Sequence, residues 1–228
     1  MKMRTIHLER YVLFTLAIFM VLLTGCASSP SSKFYQLTPG QNKTSVTGDV
    51  SLDQSQVIAI GPVRIPDYLD RPQIVTRSGK NELKLSEFDR WAGSLESDVN
   101  RVLVEDISSL LPADCFSVVH WTPYLESQVP ASHRVEVIVD RFEGALGDSV
   151  LLKAQWRIFA KDKSLILEKG SLVREQMNGS SYGALVAAMS GALERLSRDI
   201  YVGIITVIRQ EQTRKKLPYC AAGYFARF

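Results

Sequence analysis

Ser149-Val-Leu-Leu-Lys-Ala-Gln-Trp-Arg-Ile-Phe-Ala160 has apolar residues at every even position, with Lys153, Gln155 and Arg157 between them. Side chains alternate across a strand, so this period of two predicts a strand with one dry face and one wet face. Outward from it, Arg134 to Phe142 puts Val135, Val137 and Val139 on one side, and Leu165 to Met177 gives a third, less clean strand. Gly144 to Asp148 and Lys161 to Lys163 are the connecting turns, and Cys115 to Trp121 is a short strand upstream. Adjacent strands joined by short turns make an antiparallel sheet, and its dry face has to be covered.

Two amphipathic helices are available to cover it. Gly93 to Leu111 carries Leu95, Val99, Val102, Leu103, Ile107 and Leu110 at helical spacing and is closed by Pro112. A second helix starts near Ser180 or Ser181, both good N-caps, with Leu185, Met189, Ala192, Leu193, Leu196 and Ile200 along one face. Glu194, Arg195, Arg198 and Asp199 rule it out as a membrane span. From Ile200 to Ile208 the chain is apolar all round, which fits a buried helix end or a separate strand equally well. Val57 to Ile60 is apolar on both faces, as in an interior strand that Gly61-Pro62 bends or ends. Residues 73–77 and 82–85 flank Ser78-Gly-Lys-Asn81 as a hairpin, Phe34 to Leu37 is a short strand, and residues 38–55 read as a loop. The predicted fold is α+β, a largely antiparallel β-sheet with two amphipathic helices packed on one face.

The first residues have another purpose. Lys2, Arg4 and Arg10 precede a charge-free apolar run of 13 residues, Tyr11 to Leu23. As a helix the run would reach roughly 20 Å, short of a roughly 30 Å hydrocarbon core, which suits an export signal better than a permanent span. It ends in Leu23-Thr-Gly-Cys26, which resembles the lipobox of bacterial lipoproteins. That resemblance implies cleavage before Cys26 and acylation of its sulfur and freed amine, giving a stable membrane anchor. Ala27, where an aspartate would favour retention in the inner membrane, implies the periplasmic face of the outer membrane. The predicted organisation is a signal over 1–25, a tether over 26–33, a domain over 34–209 and a divergent tail over 210–228.

Loss of residues 1–25 removes three basic residues and one acid, taking the net charge from +3 to +1 and leaving 203 residues. A near-neutral domain gives no reason to expect nucleic acid, and the cluster Arg209, Arg214, Lys215 and Lys216 reads as a solvated tail. With Cys26 committed to lipid, Cys115 and Cys220 either form a disulfide, permitted in an oxidising periplasm, or stay as separate thiols. Gly179-Ser-Ser-Tyr-Gly183 matches a nucleophile elbow, but no histidine follows Ser181, and the serines serve as caps. His120, His133 and Cys115 lack the spacing of a zinc site, with His133 read as a surface residue. The carboxylate pairs Asp67/Asp70 and Asp140/Glu143 read as solvated faces. No catalytic residue, metal site or cofactor is expected.

Ile65-Pro-Asp-Tyr-Leu-Asp-Arg-Pro-Gln-Ile-Val-Thr-Arg77, then Asn81, Leu83, Leu85 and Phe88-Asp-Arg-Trp-Ala92, resembles the PqiC family, the ABC-type transport auxiliary lipoproteins. Phe34-Tyr-Gln-Leu37 resembles their first strand, and Ser181-Tyr182 with Leu185, Ala188, Leu193, Leu196 and Ser197 their final helix. The resemblance implies a non-enzymatic subunit of a lipid-transport system whose partner carries MCE domains, with the lipoprotein itself forming a ring. The rival class is a structural lipoprotein, the pilot of an outer-membrane pore. Asp67 to Arg71, between two prolines, is stiffened and kept out of helix. Tyr68, Leu69, Asp70 and Arg71 are candidate partner contacts, or else a turn whose Tyr and Leu cover the core. Arg90 and Trp91 are further candidates, or a packing pair ahead of the helix.

Overall fold

The computed structural model describes residues 30–40, 56–128 and 131–215. The signal over 1–25, Cys26, most of the 38–55 loop, Cys220 and the last part of the tail lie outside the described residues. The elements run β1 (Lys33–Tyr35), β2 (Gln56–Arg64), β3 (Gln73–Arg77), β4 (Leu83–Trp91), α1 (Leu95–Leu110), β5 (Phe116–His120), α2 (Pro123–Gln128), β6 (His133–Gly144), β7 (Ser149–Ala160), β8 (Leu165–Gln176) and α3 (Tyr182–Lys215).

The α+β reading holds, with the strands divided between two sheets. One has five strands in the order β5-β2-β6-β7-β8 and the other three in the order β1-β4-β3. Strands β6, β7 and β8 form the antiparallel meander expected from their alternation. On β7, Leu152, Ala154, Trp156 and Ile158 are buried, and Lys153 and Gln155 are exposed. The interior strand is β2, placed between β5 and β6 and parallel to both. Parallel neighbours need a crossover, and α1 lies in the connection from β2 towards β5. Gly61, at φ 126°, bends β2 without ending it, and the register with β6 shifts between Ile60 and Val63.

Ser94 starts α1 by accepting the N–H of Ser97, and Glu96 and Asp98 in the first turn oppose the positive end of the helix dipole. The apolar stretch 200–208 continues α3, which runs on to Lys215, past the 209/210 boundary expected for a tail. Most of this stretch is buried because α3 lies against α1 on one side and β6, β7 and β8 on another, while Val202 and Thr206 face solvent. Ile200, Ile204, Val207 and Ile208 are all buried there. Gly203 lets the helix approach the sheet, since a Cβ at this position would sit 2.5 Å from the Trp156 ring. Among the described residues, no helix is long and apolar enough to cross a membrane.

Downstream of β1 the chain is strapped over the two long helices. Leu37 is buried, and its N–H donates to Asp98 Oδ2 at 2.6 Å. The Thr38 N–H donates to Ser190 Oγ at 3.1 Å, and the Gly40 N–H to Asp106 Oδ1 at 2.8 Å. Arg101, paired with Asp98 and Glu105, closes the strap by donating to the Leu37 carbonyl at 2.7 Å. From Leu37 to Gly40 these backbone groups are satisfied by side chains of α1 and α3.

Candidate functional site

Between β2 and β3 the chain crosses from the larger sheet to the smaller one through the proline-bounded turn at 66–72. The turn closes on itself, with the Leu69 N–H donating to the Pro66 carbonyl at 2.9 Å and the Asp70 N–H to the Asp67 carbonyl at 3.3 Å. The Trp91 N–H donates to the Pro72 carbonyl at 2.7 Å, which ties the turn to the end of β4.

A buried carboxylate fastens this turn from below. Glu143, near the end of β6, is 1% exposed. Its Oε2 accepts from the Tyr68 hydroxyl at 2.7 Å and from the Phe142 N–H at 3.1 Å. Its Oε1 accepts from Arg77 Nε at 2.9 Å and from Arg141 Nε at 3.0 Å. Turn, β3 and β6 therefore meet on one side chain, which joins the two sheets. Burial pushes the Glu143 carboxyl up, but the bonds from Tyr68, Arg141 and Arg77 outweigh it and hold the group below the usual carboxylate range. The Tyr68 phenol is pushed well up, first by burial and then by its bond to the Glu143 carboxylate.

This cluster corrects the solvated reading of the Asp140/Glu143 pair. After Val139 the register of β6 against β7 shifts, so Phe142 takes the place on the dry face opposite Leu152, and Glu143, opposite Leu151, is buried on the other face by Tyr68 and Arg77. The shift breaks the alternation of Val135, Val137 and Val139, so strand parity does not reveal the burial of position 143, and two arginines supply the charge needed there. His133 also departs from expectation. It is buried, because position 133 shares the inward parity of those valines, and its Nε2 lies 3.5 Å from Glu211 Oε2.

The six candidate contacts divide by burial. Leu69 at 2% exposure and Trp91 at 5% pack inside the core, and Tyr68 is half-buried against it. These three side chains set the turn in place and present little surface of their own. Asp70 is exposed, and Arg71 and Arg90 are half-buried. The Nε atoms of Arg71 and Arg90 are buried without a hydrogen-bond partner among the described residues. Cys26 lies outside the described residues, and Cys115 is disulfide-bonded with its partner also outside them.

Ser181 caps α3, its hydroxyl accepting the Ala184 N–H at 3.1 Å. His120 Nδ1 lies 2.6 Å from Asn100 Oδ1. Among the described residues, no three His, Cys, Asp or Glu side chains are grouped to hold a metal ion.

Two sheets, two long helices and the fastened turn between the sheets make up the fold, and the sequence says which class of protein carries it. Residues 35–201 match the ABC-type transport auxiliary lipoprotein component family, and the chain belongs to it. The intermembrane transport lipoprotein PqiC of Escherichia coli (strain K12) is 24% identical over 135 residues, which cover 59% of this chain and 67% of that protein. PqiC of Shigella flexneri gives the same figures. Two crystal structures share the fold. An uncharacterised protein aligns at TM-score 0.63 and 18% identity, covering 77% of this chain and 99% of that one. A Xanthomonas campestris protein aligns at TM-score 0.60 and 15% identity, covering 79% and 99%.

Proposed function

We propose that this auxiliary lipoprotein is cut before Cys26, lipidated there, and held on the periplasmic face of the outer membrane. From that position it docks the conduit of an intermembrane lipid transporter, as a non-enzymatic subunit that takes no cofactor. Its partner carries MCE domains, and several copies of the chain form a ring at the conduit's end. The observation that carries this reading is the fastened turn. Burying Glu143 beneath residues 66–72 fixes the backbone on which Asp70 and Arg71 stand. A surface that is rigid before binding loses less entropy on docking. Arg71 and Arg90 keep part of their surface in solvent, and an accessible guanidinium suits acidic side chains on a partner. Family membership supplies the transport setting, and likeness to PqiC supports its intermembrane character.

The test is affinity capture with the full-length chain from detergent-extracted envelopes. An MCE-domain protein is expected to co-purify. Asp70→Ala with Arg71→Ala is expected to lower its recovery about tenfold, in the range of a modest hot spot, with the melting temperature unchanged. Capture of a pore-forming β-protein instead would make the chain a pilot. Parallel loss of folding and capture would make the turn purely structural.

A further inference from the structure

Phe34 is 66% exposed in the middle of β1, yet the strand around it is held firmly. Lys33, Phe34 and Tyr35 pair with Asp89, Arg90 and Trp91 of β4. The Tyr35 hydroxyl donates to Asp89 at 2.8 Å, and the Tyr35 carbonyl accepts the Ala92 N–H at 2.8 Å. Two residues later Leu37 is in the core, and the strap over α1 and α3 begins. The backbone fixes an aromatic ring in an outward position, where burial inside this chain would have been the favourable outcome for so much apolar surface.

The length of chain before it says what covers the ring. Seven residues separate Cys26 from Phe34, Ala27-Ser-Ser-Pro-Ser-Ser-Lys33. Fully extended they span at most about 28 Å, and as a coil of this composition about 15 Å. An acylated cysteine lies in the polar layer of its leaflet, so Phe34 is kept within reach of that layer. At the boundary of head groups and acyl chains an exposed Phe ring can bury its apolar surface.

We propose that Phe34 is a second membrane contact, its ring seated in the interfacial layer of the leaflet that holds the Cys26 acyl chains. The inference rests on the lipidation of Cys26. A flexible tether alone leaves the domain free to tumble over the surface. A rigid second contact sets the corner at β1 down against the bilayer. Arg90, the register partner of Phe34, lies on the strand whose end ties the 66–72 turn, so this seating also fixes the height at which the turn is presented.

The experiment places the photoreactive residue p-benzoylphenylalanine at position 34 of the full-length chain in living cells. The comparison position is Val202, an apolar residue on α3 that is 56% exposed. After irradiation, phospholipid adducts are expected at position 34 in several-fold excess over position 202. Equal yields at the two positions, or adducts at 34 to protein alone, would overturn the proposal. The mass of the mature N-terminal peptide is read in the same sample. Acylated Cys26 without a phospholipid adduct at 34 removes only the second contact, whereas an unmodified Cys26 removes the anchor and this proposal with it.

Discussion

Glu143 illustrates how a side chain can be misread from its own strand. Its neighbours Arg141 and Asp140 suggest a charged, wet surface, and its burial comes from the 66–72 turn and β3, which cover that face from far along the chain. Once it is inside, its charge is sustained by Tyr68, Arg77 and Arg141. Removing one member of a buried charged cluster leaves the others unsatisfied, which typically costs 3–5 kcal/mol. Arg77 and Arg141 keep 25% and 38% of their side chains in solvent and can recover part of that by hydration. Glu143→Gln is therefore expected to destabilise by about 2 kcal/mol, read by urea denaturation at pH 7. The pH dependence has a definite sign. The folded pKa lies below the unfolded one, so the stabilisation is present above the ordinary glutamate range and is lost as pH falls through the folded value. The gap between the parent protein and Glu143→Gln should close on acidification, and a gap that widens would mean that the carboxylate is not the stabilising form. Asp106 acts in the opposite sense. Burial raises its pKa against the bonds from Gly40 and Ser197, so its contribution falls as pH rises through the carboxylate range.

Among the elements, the contact of α3 with β7 is packed tightly at Gly203. Alanine ordinarily improves a helix interior over glycine by about 1 kcal/mol. At position 203 that gain is opposed by the Trp156 ring, which a Cβ would meet at 2.5 Å and 2.6 Å. Trp156 is buried, and its indole N–H donates to Ser171, whose hydroxyl in turn donates to Asp199 on α3, so the ring cannot swing away without breaking this chain. Overpacking costs about 1–3 kcal/mol beyond the lost propensity gain, and Gly203→Ala should lower the melting temperature by about 5 °C or more. A rise in melting temperature would show that helix propensity wins and that the contact is loose. These elements also mark how far sequence reaches. Strand β7 and helix α1 were legible because each has one wet face, and a wet face makes the period visible. Residues 200–208 resisted because their composition is apolar nearly all round, including Val202 on the exposed side, so no polar face marks the helical period. For β2 the dry composition identified an interior strand, but parallel pairing with β5 and β6 depends on a crossover that no local pattern encodes. Of the candidate contacts, Leu69 and Trp91 were ambiguous for the same reason, since apolar side chains beside a proline turn suit a core and an interface equally.

At the scale of the whole molecule, the proposed acylation of Cys26 would couple the fold to a surface through the short link to Lys33. An anchored domain meets an anchored or membrane-spanning partner at an effective concentration set by the reach of its tether, and that concentration falls roughly as the −3/2 power of tether length once the link is longer than needed. Inserting about 20 Gly and Ser residues after Ser29 lengthens the link roughly fourfold, and partner capture by crosslinking in intact cells is expected to fall about 5–10-fold. The insertion precedes β1, so the strap from Leu37 to Gly40 and the core are untouched, and the melting temperature should stay where it was. Capture that is unaffected by the insertion, with the protein still in the membrane fraction, would mean that affinity at the 66–72 turn alone holds the partner. A drop of the expected size would place the division of labour in the tether, which supplies concentration and orientation, while the turn fastened by Glu143 supplies specificity.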